Sequence, residues 1–366
     1  MVTDNCFIFA ESSGAADEEM FMNSFEEVPR IQLFSVKDLE QELNRFKEIC
    51  SDPNNMWEKR TDSLRRLRSL LLAGAADYDV FYSYLKPLEV PFQVSIRDLR
   101  SQVVREACIS IAYLSQRIAN KYVLGKLVLG AHSSILMLID FVDIFRLDKF
   151  AEALFPTLIN LIQNSAKIMS SSAVVAIRFI IQHTHANKLI PIITYNVSSK
   201  SKEIRKTCCE FLDQLLHTWS AHTLEKHVGI IQEAIKKGIS DADPEARAFA
   251  RKAFWGFADK FKAESDYLLS SLDSGKQKML QGEHISNWSS TNSLNKAYAY
   301  TRPQTSRTNS ASTNGSMESL NRHFRLNGGS LKRSAIPVAT PVKPAVCKYT
   351  SPPSSLHFCL VLLFVS

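Results

Sequence analysis

Apolar residues between about residue 35 and residue 282 recur at steps of three and four, the period of a helix with one buried face. Leu39, Leu43, Phe46, Ile49 and Cys50 fall on one side of LEQELNRFKEIC. The preceding SVKD places Ser35 and Asp38 as a capping box at the start of that helix. Ser51-Asp52-Pro53 ends it, because proline lacks the amide donor and disfavours a helical residue before it. WEKRTDSLRRLRSLLLAG then predicts a second helix, with Leu64, Leu67, Leu70 and Leu71 on one face and Arg65, Arg66 and Arg68 off it. Gly74 is the expected terminator.

Helix, short loop, helix is the unit that recurs. Later second helices are expected in SQVVREACISIAYLS, SSSAVVAIRFIIQHT, SKEIRKTCCEFLDQLL and DPEARAFARKAFWGFA. Three of them place an arginine three residues before a small residue: Arg105/Cys108, Arg205/Cys208 and Arg247/Ala250. The arginine sits near the helix start beside the loop, and the small residue lets a neighbouring helix approach. Arg205 and Arg247 are separated by a repeat length in the HEAT range. No alternating strand pattern of any length occurs, so the predicted fold is an all-α HEAT-repeat solenoid with disordered termini.

Composition divides the chain into three parts. Residues 1–30 hold seven acidic residues and one arginine, and read as a flexible acidic leader. Residues 31–282 carry the helical pattern. Beyond them, residues 283–366 are rich in Ser, Thr, Asn, Gly and Pro; from Ser286 onward there are nine Lys/Arg against one acid, Glu318. With few large apolar groups this tail cannot offset its ordering entropy, and disorder is expected. The whole chain carries +7, with a mildly basic helical part, a balance that suits an acidic partner surface without demanding nucleic acid.

Seven cysteines occur without a CxxC pair, and Cys50, Cys108 and Cys208 lie in helical apolar patterns, so they read as reduced packing residues. The N-terminus lacks a basic region of the signal-peptide kind. LHFCLVLLFVS is too short to span a bilayer, and Leu127–Phe145 contains His132, Asp140 and Asp143, so no membrane segment is expected. His183 and His185 have no third ligand at a recognisable spacing, which argues against a metal. No glycine-rich phosphate loop, GxSxG or HExxH occurs, and nothing points to an enzyme or a cofactor.

FSVKDLEQELNRFKEI, MWEKRTDSLRRLRSLLLAGAADYDVF, DLRSQVVREACISIAYLSQ and KSKEIRKTCCEFLDQLLHTWSAHTLEKHVGIIQEAIKKGISDADPEARAFARKAF carry a resemblance. Through them residues 31–282 resemble the second TOG domain of the CLASP (cytoplasmic linker-associated protein) family. One stretch, about 121–146, has no place in the family pattern and reads as an atypical insert. The resemblance implies a flat paddle that binds tubulin along the row of loops joining the two helices of each repeat. It implies suppression of catastrophe or promotion of rescue, and a cytoplasmic location on microtubules, spindle or kinetochore.

Trp57, following the loop SDPNNM, reads from composition as core; the resemblance places it on the tubulin-facing edge, beside Lys59 and Arg60. The later loops contribute Ser101, Gln102 and Arg105; Lys167; Lys200, Lys202, Arg205 and Lys206; and Glu245, Arg247 and Arg251, with Asp243 beside them. If each loop lies on one edge, these form a basic stripe suited to acidic tubulin. Arg105, Arg205 and Arg247 are alternatively internal braces for the loops. In the tail, Ser334-Ala335-Ile336-Pro337 after Lys332-Arg333 matches the SxIP pattern by which plus-end proteins bind EB proteins. The competing reading is a HEAT scaffold for a partner other than tubulin.

Overall fold

A computed structural model describes residues 15–129 and 134–282, with the backbone alone over 121–129 and 134–145. Among the described residues all regular structure is helical. The N-terminal helix is α1 (Glu18–Phe25). Five antiparallel hairpins follow: α2 (Val36–Ser51) with α3 (Trp57–Leu72), α4 (Asp79–Ile96) with α5 (Ser101–Leu129), and α6 (Ser134–Leu161) with α7 (Lys167–His183). The fourth is α8 (Leu189–Asn196) with α9 (Lys202–Thr218). After a short α10 (Ala221–Leu224), α11 (Val228–Ile239) pairs with α12 (Pro244–Lys260), and α13 (Lys262–Ser270) packs on both. First helices stack on first helices and second on second, in the order α2, α4, α6, α8, α11 and α3, α5, α7, α9, α12. That two-layer stack is a HEAT-type solenoid, with the core between the layers.

Local chemistry sets the hairpin ends. The Ser35 hydroxyl accepts from the Asp38 amide at 3.2 Å, and the Asp243 carboxylate accepts from the Glu245 and Ala246 amides at 3.0 and 2.9 Å ahead of Pro244. Gly74 follows α3 at φ 93°, a left-handed conformation that a side chain would strain. The small residues act where hairpins close. Cys108, Cys208 and Ala250 are buried, and a Cβ on Gly238 would stand 2.7 Å from the Ala250 Cβ. The buried thiols are unpaired, and burial pushes the Cys50 and Cys209 thiols up to about 11 and about 12.

Part of the expected flexible acidic leader forms helix α1. Asp17 caps α1 by accepting from the Met20 amide at 2.8 Å, and Glu18 and Glu19 complement the positive end of the helix. Phe21 and Phe25, one turn apart, are buried against the second-helix layer; the Phe25 ring lies 5.1 Å from Tyr113 of α5 and 5.3 Å from Phe179 of α7. The Ala16 amide donates to the Ser171 hydroxyl at 2.7 Å, and Glu18 pairs with Arg178 at 3.6 Å. Two phenylalanines thus outweigh an acid-rich composition, because both find apolar partners distant in sequence. The expected insert at 121–146 continues α5 to Leu129 and starts α6 at Ser134, so its backbone extends the two facing helices.

Cys6, Cys347 and Cys359, the SxIP-like Ser334, Ala335, Ile336 and Pro337, and the apolar C-terminal run lie outside the described residues. No described helix is long and apolar enough to cross a membrane.

A candidate partner-binding rim on the hairpin loops

Second helices lie side by side in register, so the loops that precede them gather on one edge. Side-chain links between consecutive hairpins fix that register. Arg65 and Arg68 of α3 hold Glu106 of α5 at 3.2 and 2.7 Å, and Arg68 also donates to the Ser110 hydroxyl at 2.9 Å. Arg178 of α7 donates from Nε to Glu210 of α9 at 2.7 Å, and Gln214 reaches back to the Arg178 carbonyl at 3.0 Å. At the edge itself, Arg97 of the second loop donates to Thr157 of α6 at 3.2 Å.

Trp57 is the first residue of α3, half-buried, with its inner side on the core. It shares a cleft with Arg65, Gln102, Arg105 and Glu106. Lys59 beside it is exposed. Arg60 is not on the rim. Its side chain is fully buried, ion-paired to Asp98 of the second loop and within 3.5 Å of the Ser95 hydroxyl. A guanidinium sealed by its own domain presents no donor outward, so the expected contact role for Arg60 is corrected to a link between loops.

In the second loop, Ser101 and Arg105 are half-buried and Gln102 is exposed. The Arg105 Nε is buried without a hydrogen-bond partner. Lys167 opens α7 and is exposed. In the fourth loop Lys200 and Lys202 are exposed, Lys202 retaining 70% of its side-chain surface. Arg205 faces inward. It meets Asp241 of the fifth loop through two hydrogen bonds of 2.7 and 3.2 Å, and donates to the Ser199 and Lys200 carbonyls at 3.1 and 3.2 Å. Bonding to Asp241 raises the Arg205 pKa; burial pushes the Asp241 carboxyl up, yet Arg205 and the Asp243 amide bring it below the usual carboxylate range.

Arg247 repeats the device within its own loop, donating to the Asp241 and Ala242 carbonyls at 2.8 Å each. Lys206 pairs with Glu245 at 3.0 Å and Glu203 at 3.5 Å; burial lowers its pKa, but these two carboxylates hold it above the ordinary lysine value. Arg251 is half-buried on α12. The continuous basic stripe expected from the sequence therefore resolves into exposed cations at Lys59, Lys167, Lys200 and Lys202, the bracing arginines Arg60, Arg205 and Arg247, and the half-buried Arg105 and Arg251. Two exposed cations that the helix-start pattern did not single out, Arg97 and Arg100, flank Leu99 in the second loop. Their signal was the RDLR run just ahead of the SQVVREA helix.

His183 is half-buried and stacked on Phe179 with ring centres 5.9 Å apart; the burial it has pulls its pKa down to about 4. His185 lies over Trp219 at 5.6 Å. Each ring rests on an aromatic neighbour, His185 with its outer side exposed, and among the described residues no group of three metal-ligating side chains occurs.

Comparison with known proteins adds to this geometry. A solved microtubule polymerase with a TOG (tumor overexpressed gene) domain array aligns at 15% identity with a TM-score of 0.49, over 64% of this chain and 44% of that one. Closer similarity lies in sequence. CLIP-associating protein 1-A of Xenopus laevis is 47% identical over 312 residues, 85% of this chain. The CLIP-associating protein of Drosophila melanogaster is 37% identical over 274 residues, 74% of this chain. The chain spans 19% and 17% of the length of these two relatives. The CLASP N-terminal family model matches residues 135–281, which run from α6 past α13. With that match in the later hairpins and 47% identity carried across the earlier ones, the chain belongs to the CLASP family.

Proposed function

We propose that this chain binds tubulin, and through it microtubules, along the loop rim, and that it stabilises the polymer by suppressing catastrophe and promoting rescue. As a CLASP-family chain it is a binding protein and not an enzyme. The observation that carries the reading is the position of Trp57 and the exposed Lys59, Lys167, Lys200 and Lys202 at or just ahead of the starts of three of the five second helices, α3, α7 and α9. An indole with one face open is an anchor for a protein surface. Cations along the same edge steer an acidic partner and pair with its carboxylates. Gln102 and Arg105 line the cleft beside Trp57, with Ser101 opening the same helix, while Arg205, Arg247 and the Lys206–Glu245 pair keep the later loops in shape.

The tail, read from composition as a basic tether, raises the local concentration of the domain at an acidic lattice. Its Ser334–Pro337 stretch is proposed to engage an EB-type plus-end protein. The implied location is the cytoplasmic microtubule array, including spindle and kinetochore.

Co-sedimentation of the full chain with microtubules at two salt concentrations tests the reading. Trp57→Glu and the double reversal Lys200→Glu/Lys202→Glu are each expected to weaken binding at least tenfold with helical content retained. The lysine reversal should also flatten the salt dependence. Variants that pellet as the wild type does would remove the rim from the reading.

A further inference from the structure

Leu99 keeps 96% of its surface exposed, the highest value among the large apolar residues described. Met56, at the end of the preceding loop, keeps 60%. Scattered exposed apolar residues need no explanation, but these two share a setting. Each sits at an intra-hairpin loop, and the buried Arg60–Asp98 pair ties the first turn of α3, which follows Met56, to the loop that carries Leu99. Arg60 lies one turn after Trp57, and Asp98 immediately precedes Leu99. The Asp98 carboxylate also accepts from the Arg100 amide at 2.8 Å, which closes a small turn around Leu99. The leucine therefore projects from a braced loop, so little ordering entropy remains to be lost when a partner covers it.

We infer that Leu99, with Met56, is a second apolar anchor of the rim, docking beside Trp57 onto an apolar site within the acidic surface of tubulin. The inference rests on the tubulin reading above and names contacts that it lacks. Charge selects the occupant: exposed Arg97 and Arg100 flank Leu99, whose acidic neighbour Asp98 is ion-paired and nearly buried, while exposed Glu58 and Lys59 offset each other beside Trp57, so a rim of cations stands at the leucine. An apolar centre with a charged rim is the arrangement of an interface hot spot. A basic or neutral partner gains nothing from that rim. The Arg60–Asp98 pair is a positioning element, because it sets the placement of Leu99 relative to Trp57 without reaching the partner.

The test uses the full chain with Leu99→Ser and Leu99→Met, read by co-sedimentation with microtubules across a salt titration and by thermal melting. Burying a leucine on binding predicts that Leu99→Ser weakens affinity about tenfold or more, and that Leu99→Met restores most of it. The salt slope of Leu99→Ser should match the wild type, since no charge is lost. Its melting temperature should also match, because the side chain has almost no contacts to lose. Wild-type affinity in Leu99→Ser, alongside lost affinity in Trp57→Glu, overturns the anchor and leaves the tubulin reading standing. Wild-type affinity in Leu99→Ser, Trp57→Glu and the Lys200/Lys202 reversal together, or no binding by the wild type, overturns both.

Discussion

Replacing Arg60 with alanine separates a buried brace from a surface contact. The Arg60 side chain is fully buried and the Asp98 carboxylate is 5% exposed, so the pair is screened little by water. Arg60→Ala leaves that carboxylate with the Arg100 amide at 2.8 Å and the Arg100 guanidinium at 4.0 Å, and empties the volume beside Ser95. Removing one member of a buried pair costs about 3–5 kcal/mol, because the other is stranded. In a domain of this size each kcal/mol moves the melting temperature by about 2–4 °C, so a fall of roughly 6–20 °C is expected. Lys59→Ala, one residue earlier but exposed, should stay within about 0.5 kcal/mol of the wild type. Replacing both partners with apolar residues, Arg60→Met with Asp98→Leu, should recover much of the loss, since neither charge is then left alone. Thermal unfolding followed by circular dichroism reads all three. The reasoning fails if Arg60→Ala melts with Lys59→Ala while its affinity for microtubules collapses. Arg60 would then be a contact residue with the rim arranged differently.

Three further outcomes follow from packing and titration. Burial pushes the Asp148 carboxyl from 3.8 up to about 6, and one of its oxygens is buried without a partner. A carboxyl that holds its proton more tightly folded than unfolded destabilises the fold at neutral pH. The deficit is complete above about pH 6 and relieved as pH falls from there towards 4. Asp148→Asn should therefore stabilise the domain by about 3 kcal/mol at pH 7 and by little near pH 4, as measured by urea unfolding at the two values. Gly238→Ala should destabilise by about 1–3 kcal/mol, because its Cβ would meet Ala250 at 2.7 Å and the Cys209 sulfur at 3.0 Å. Gly229→Ala in the same helix has nothing within 4 Å, and should stabilise by about 0.5 kcal/mol in the same melts.

Features settled within one helical turn were legible in the sequence. The Ser35 cap, the Gly74 terminator and the small residue at Ala250 depend on neighbours three or four positions away, or on a repeat length visible in the chain. The fate of Arg60 was not legible, because it is decided by Asp98, 38 residues later. For Arg205 the bracing role was one of two readings open at its helix start, and what decides it is Asp241, 36 residues on. Helix α1 was misread because Phe21 and Phe25 are too few to mark a packed segment until Tyr113 and Phe179 are brought beneath them. The second loop was undervalued for another reason. Attention to helix starts picked Ser101, Gln102 and Arg105, whereas Arg97, Leu99 and Arg100 stand farther out.

Because α1 lies across both α5 and α7, it fastens the second hairpin to the third on the layer opposite the first helices. A stack of hairpins joined only to nearest neighbours bends like a spring, and every small rotation between units adds along its length. A strap across one junction stiffens that joint against opening. The interval between the indole at one end of the edge and the lysines of the fourth loop is then a preset gauge, and a partner whose matching features are spaced differently would meet one end and miss the other.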